Sequence, residues 1–264
     1  MKRYLKIYLV AIKNHVASRL AYRVDFFMGM IITIASELLL PLLTALIYRS
    51  GTAFPGWSYH EALLLQGIFI TFRGASYALF FGMTGTVMSN VREGTFDLIM
   101  IRPAPAVFLS VAISFSLDDV GVFLSGVAIF IFVAIKVHVI LTLTGFAWFV
   151  LMFLASITVM FGFTLMMSAT MFKWVGNSRI YEIFESIAGF GRYPATIFPG
   201  IFRVLVTFVF PVAVLGSLPA AVFLGKQSAD PVQLMLLILS CGGFLVFGYI
   251  IWRVMIRSYI SSGG

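Results

Sequence analysis

The chain opens on a segment in which basic and apolar positions recur at helical spacing. Leu5, Leu9, Ile12 and Val16 share one face opposite Lys2, Lys6 and Lys13, with Arg3, Arg19 and Arg23 completing the basic set. That pattern predicts an amphipathic helix lying in a membrane interface. The apolar run after Arg23 is too long and too late for the core of a cleavable leader, so the helix is expected to stay attached. From Phe26 to Tyr48 the chain is apolar enough to cross about 30 Å of hydrocarbon at about 1.5 Å per residue. Arg49 and the turn-rich GTAFPGW close this first span.

A second span runs from about Glu61 to Thr84, followed by the polar interruption TVMSNVREGTFDLIMIRPAP. Residues 104–117 are apolar but sit between Pro103, Pro105 and the pair Asp118 and Asp119, and are expected to lie along the surface. A third span starts at that pair and ends near Ile135; a fourth runs from Gly145 to Met171, and the last from Val232 to Trp252. The stretch 175–231 allows two readings. Either 175–192 crosses and 194–225 folds back as a broken re-entrant pair at Pro199, Pro211 and Pro219, or 197–224 crosses and 173–193 stays on the surface. Hydropathy favours the second, because the first buries Arg179, Glu182 and Glu185. Both give six crossings and an all-α, polytopic membrane protein.

Composition agrees with that class. Of 264 residues, 61% are apolar and only 11% charged, with a mean hydropathy of +1.05, whereas a soluble fold carries about a quarter charged residues. The net charge of +8 would in a soluble protein raise the question of nucleic acid. Here it follows the positive-inside rule, and no nucleic-acid partner is expected. Cytoplasmic termini place the N-terminal cluster, Arg92, Arg102, Lys173, Arg253 and Arg257 inside, and Arg49, Lys136 and Lys226 outside. The same registration puts Trp57 and Trp148 at the outer interface, and Trp174 and Trp252 at the inner one. Cys241 is alone, so an internal disulfide is excluded.

Candidate chemistry is sparse. His15, His60 and His138 are isolated, no cluster of metal ligands is expected, and Asp118 with Asp119 read as the acidic first turn of a helix. The fragment LGKQ at 224–227 lacks the first glycine and last hydroxyl of a phosphate loop, so the chain is not expected to hydrolyse ATP itself. Two constellations remain inside the apolar spans. Glu37 and Arg73 fall at equal depth on the first two, antiparallel spans, where an unpaired charge costs roughly 3 kcal/mol, so they are expected to pair. Such a pair is either a structural bridge or part of a polar path. In 175–192, Ile180, Ile183, Phe184, Ile187 and Phe190 form one stripe, with Arg179, Glu182 and Ser186 opposite. If this segment spans, Arg179, Glu182 and Glu185 are candidates for a translocation path. On the other side of the second span, VREGTFDLIMIRPAP combines Arg92, Glu93, Asp97 and Arg102 with exposed Leu98, Ile99, Met100 and Ile101. Those residues suit a short helix that docks into a groove on a soluble partner.

These segments, taken in order, are similar to a known family. The run V-R-E-G-T-F-D-L-I-M-I-R-P, the later Y-P-A-T-I-F-P-G-I-F-R with F-P-V-A and L-P-A, and the ending R-S-Y-I-S-S-G-G resemble ABC type-2 exporter permeases, in particular a compact bacterial subfamily. The resemblance implies a single permease domain over 1–264 with six spans, an N-terminal interfacial helix and re-entrant elements before the last span. It therefore favours the re-entrant reading. It assigns coupling to an ATPase to Arg92, Glu93, Gly94, Asp97, Leu98 and Arg102, and the external elements to Tyr193–Phe202 and Pro211–Ala220, with turns at Pro194, Pro199, Pro211 and Pro219. It further implies two ATPase subunits that carry the ATP and Mg, a second permease subunit, identical or related, and a multi-pass place among the lipids of a bacterial inner membrane. No cofactor is expected on this chain. Competing classes are an intramembrane enzyme centred on Glu182 and Glu185, and an ion-coupled carrier using Glu37 and Arg73.

Overall fold

The computed structural model describes residues 2–139, 142–174, 178–227 and 230–259, and among them every regular element is helical. Residues 175–177 and 260–264, and the side chains of Lys2 and Arg3, lie outside the described residues, so the start of the 175–192 segment and the closing ISSGG are not placed. Five helical stretches are long and apolar enough to cross a membrane: Arg23–Arg49, Tyr59–Arg92, Leu117–Lys136, Leu143–Thr170 and Pro231–Ser258.

Helix α1 (Lys2–Ala21) breaks at Tyr22 and is followed by α2 (Arg23–Arg49). The face of α1 that meets the protein differs from the predicted stripe. Ile12 and Val16 are part-buried, but Leu5 and Leu9 are more than half exposed, and Tyr8 and His15 take their place against the bundle. Tyr8 donates to the Leu79 carbonyl at 3.3 Å, the His15 ring meets Phe115, and Arg19 pairs with Asp118 at 2.6 Å. Burial pushes the Tyr8 hydroxyl up. It pushes the His15 imidazole down, with the Arg19 charge adding to the effect and Asp118 opposing it. A lowered pKa means that the undocked helix binds the proton better. Docking through His15 is therefore complete above the free imidazole value of about 6.5 and weakens as pH falls through it. Limited proteolysis of α1, corrected for protease activity, should be faster near pH 5.5 than near pH 7.5, and His15→Phe should remove the difference.

The second span is longer than its hydropathy suggests. Helix α3 (Tyr59–Ser76) begins in a capping box, with Ser58 and Glu61 bonding each other's backbone N–H, and passes through a π-helical turn at Tyr77–Phe81 into α4 (Met83–Arg92). Its 34 residues, about 51 Å, exceed the hydrocarbon thickness, so α4 carries the span past it to the end of the bundle, where Met83, Val87 and Val91 are buried. We call this the near end. There follow the single-turn α5 (Asp97–Met100) and α6 (Ala106–Ala112). Helix α7 (Leu117–Lys136) starts at an N-cap on Ser116, and α8 (Leu143–Thr170) returns to the near end.

Helix α3 is the centre of the molecule, and its contact with α7 is set by glycines. A Cβ on Gly74 would lie 2.6 Å from the Phe123 nitrogen and one on Gly67 2.9 Å from that of Phe130; one on Gly126 would strike the backbone of Thr71. Helix α8 meets α12 (Pro231–Met255) in the same way, through Gly162 and Gly248.

The sixth crossing is made in pieces. Helix α9 (Ser178–Gly189) spans only about 18 Å, but 3-10 turns at Phe190–Arg192 and Ala195–Ile197 extend it. This path climbs alongside α3: Tyr181 meets Phe81, Glu185 meets Arg73, Gly191 abuts Phe69, Tyr193 meets Phe54, and Trp57 Nε1 donates to Thr196 Oγ1 at 3.2 Å. The chain then turns at Pro199 and descends through α10 (Gly200–Val204) and a π-helical turn. It reaches Ser240, whose hydroxyl bonds the Phe208 carbonyl about 14 Å along α12. It reverses at Pro211 and climbs through Val212–Leu215 and α11 (Ser217–Phe223). Lys226 closes the hairpin at the far end, pairing with Glu61 at 3.0 Å and donating to the Gly56 carbonyl at 2.6 Å. Residues 200–223 are thus a re-entrant hairpin, and the hydropathy preference for a span over 197–224 is overturned. The hairpin packs Val206, Val212–Leu215 and Ala220 into the core, whereas Ile201, Val204 and Val209 on its descending arm are exposed.

Two tryptophans are also placed differently from the predicted belts. Trp57 and Trp252 are buried in protein, whereas Trp148 is part-buried and Trp174 exposed.

Candidate functional site

Two sets of the predicted residues come together as recognisable devices. The first lies near the middle of the 59–92 span. The Arg73 guanidinium is bonded to Glu37 of α2, to the Tyr77 hydroxyl at 3.0 Å and to Glu185 of α9 at 3.0 Å. Tyr77 in turn donates to the other oxygen of Glu185, and its ring lies 4.2 Å below the Arg73 carbon. All three charged side chains are about one-fifth exposed or less. Asp119, in the first turn of α7, adds its field from the side. The predicted Glu37–Arg73 pair is therefore a four-residue cluster in which one cation holds two carboxylates and so ties α2 and α9 to α3. Only at such a point can an apolar α9 turn tolerate Glu185, because the cost of the buried carboxylate falls on Arg73 and Tyr77.

The proposed path residues are not brought together. Glu185 enters the cluster, whereas Arg179 and Glu182 lie on the exposed side of α9, and Ile183 of the predicted apolar stripe is exposed with them. Glu182 and Glu185 are accordingly not joined as a catalytic dyad. Tyr77 was missed by sequence reading, although its spacing, four residues after Arg73, is the signal for a neighbour on one helix face.

The second device is at the near end. Gly94 has φ of +69°, a left-handed turn that stops α4 after Arg92 and Glu93. The Thr95 and Phe96 N–H groups fold back onto the Asn90 carbonyl. This aims Phe96 inward, where it packs 4.9 Å from Phe172 and 5.5 Å from Tyr259 in a buried cluster with Leu165 and Trp252. Ile99 is buried beside it at 4% exposure, so it is not part of the exposed face expected for it. Leu98, Met100 and Ile101 are exposed at 55, 48 and 76%, flanked by the exposed charges of Arg92, Glu93 and Arg102, with Asp97 at the helix start. The segment thus presents an apolar ridge outward while Phe96 and Ile99 fix it to the near ends of α8 and α12. The prolines also find their places: Pro194, Pro199 and Pro211 each precede a turn or helix, and Pro219 is buried inside α11.

Long apolar helices, a segmented sixth crossing and a re-entrant hairpin packed about a central ionic cluster define a multi-pass helical membrane protein. A family model described as ABC-2 family transporter protein matches residues 31–263, and the chain belongs to that family. It is the membrane permease component of an ABC transporter, a transport subunit that works with an ABC ATPase subunit and is not that ATPase itself. No curated protein and no solved structure matches the chain.

Proposed function

We propose that the chain is the permease of an ATP-driven exporter for a hydrophobic or amphipathic substrate. In this reading two permease subunits, identical or related, work with two ATPase subunits that hold ATP and Mg. The near end faces the cytoplasm of a bacterium, with both chain termini on that side of the inner membrane. Support for this orientation is the concentration of basic residues, Lys6, Lys13, Arg19, Arg23, Arg92, Arg102, Lys173 and Arg253, at the near end.

The observation that carries the coupling assignment is the ridge of Leu98, Met100 and Ile101. It is exposed on a segment whose opposite face is locked into the bundle. An ATPase groove closing on this ridge would push α4. The π-helical turn at Tyr77–Phe81 joins α4 to α3 one turn from Arg73, and π turns are frequent at functional sites. Motion of α4 would therefore strain the Arg73 cluster and move α2 and α9, which it ties together, relative to α3. Access from the two sides of the membrane would change as these helices part.

The test is co-purification with the cognate ATPase. Leu98→Glu and Ile101→Glu should weaken association roughly 30-fold or more and abolish stimulated ATPase, while the melting temperature stays unchanged because both side chains are exposed. Ile99→Glu should instead unfold the near end. Ala at Asp97 and Arg102 together should weaken association less. If the Leu98 and Ile101 variants bind and stimulate like the native chain, the ridge is not the coupling surface.

A further inference from the structure

The far end holds a cavity that the transport reading has not used. Between the re-entrant hairpin, the 50–58 loop and the start of α12 is an open basin of about 610 Å³, reached by Arg203, Thr196, Lys226, Gln227 and Gln233. It leads into a recess of about 280 Å³, which shares Arg203 and Gln233 with the basin and adds Thr207, Phe208 and Leu218. The recess in turn meets a narrow apolar cleft of about 50 Å³ between α8, α11 and α12, walled by Trp148, Met152, Phe208, Leu218, Leu234 and Leu237. These three adjoining spaces share Gln227 and Gln233 and form a channel whose lining goes from a polar rim to a mostly apolar cleft, edged by Thr207, Gln227, Asp230 and Gln233.

The charges in this channel are mostly spent. Lys226 is paired with Glu61 and the Gly56 carbonyl, and Asp230 caps α12 by accepting the Val232 N–H at 3.1 Å. Gln227 and Gln233 bond each other at 2.9 Å. Arg203 is different: it is exposed on α10, in an otherwise apolar helix, and has no ion-pair partner among the described residues. A guanidinium held over a basin presents a planar fork of donors that matches phosphate-type oxygens. The adjoining slot matches the apolar stem to which such a head is attached in a lipid.

We propose that this channel binds an amphiphile with an anionic, phosphate-type head, the head on Arg203 and the first methylenes in the Phe208–Leu218 cleft, with the rest of the chain left in the surrounding lipid. The inference rests on the permease reading and narrows its substrate class, and it places this site on the release side. A soluble anion lacks a stem to fill the cleft, and a neutral lipid leaves Arg203 without a partner.

The test is binding of labelled lysophosphatidic acid to the purified full chain in neutral detergent, with lysophosphatidylcholine and inorganic phosphate as competitors. Lysophosphatidic acid should bind about tenfold more tightly than lysophosphatidylcholine, and phosphate should compete poorly. Arg203→Gln should lower affinity about tenfold and Arg203→Lys less, with elution and melting unchanged because the residue is on the surface. Phe208→Ser should weaken the lipid without changing the response to phosphate. Equal binding by Arg203→Gln and the native chain overturns the proposal, as does phosphate competing as well as the lipid, which marks a free-anion site. The assay needs no ATPase. Lipid binding by a chain that captures no ATPase would preserve the site and sink the ATP-driven exporter reading. Capture without lipid binding would do the reverse.

Discussion

Replacing Arg73 with methionine should be the most damaging single change in the membrane interior. It leaves Glu37 and Glu185 facing one another across a site less than one-quarter exposed, with only the Tyr77 hydroxyl to share. Removing one partner of a buried ion pair typically costs about 3–5 kcal/mol, and here two carboxylates lose their cation. The measurement is thermal denaturation of the purified chain in detergent, with the yield of monodisperse protein beside it. Arg73→Lys should fall between, because a single ammonium cannot hold Glu37, Glu185 and Tyr77 in three directions. The cluster also separates itself from a simple bridge. A Glu37–Arg73 pair would be silenced by neutralising both residues, but here the double variant Glu37→Gln, Arg73→Met still strands Glu185. Recovery should therefore need the triple variant that includes Glu185→Gln, and full recovery in the double variant would show that Glu185 is not a member.

The second large effect is expected where α3 crosses α7. Gly126→Val and Gly74→Leu each insert carbon atoms into space already filled by the partner's backbone, which cannot give as a flexible side chain would. Overpacking commonly costs about 1–3 kcal/mol and is expected at or above the top of that range here. Gly242 and Gly243 on α12 supply the control, since nothing lies within 4 Å of a Cβ at either position. Alanine there should be neutral or raise stability by about 0.5–1 kcal/mol through helix propensity. If Gly126→Val melts with the native chain, the close approach of the two backbones is not what holds α3 and α7 together.

Much of the architecture is legible in the chain itself. A run of twenty apolar residues cannot remain in water and can satisfy its backbone in lipid only as a helix, so Phe26–Tyr48 and its counterparts announce themselves locally. Depth was legible too: counting residues along two antiparallel spans brings Glu37 and Arg73 to one level. Other features were hidden because hydropathy values each side chain singly. It charged Glu185 against α9 as a buried carboxylate and so preferred a span over 197–224, although Arg73 and Tyr77 on another helix remove most of that cost. Ile99 and Ile101 are the same residue type two positions apart, and nothing local tells which will be buried in the near-end cluster and which will face outward.

The sequence by itself determined the solvent, the long helices, the basic end and the absence of a phosphate loop, because each depends on the sum of nearby side chains against water or hydrocarbon. Only the tertiary structure decided that the sixth crossing is segmented, that 200–223 turns back, that Glu185 joins Arg73, and which side of the 97–101 turn is presented to a partner. Those outcomes turn on pairings between residues far apart in the chain, and the free energy of a pairing belongs to neither residue alone.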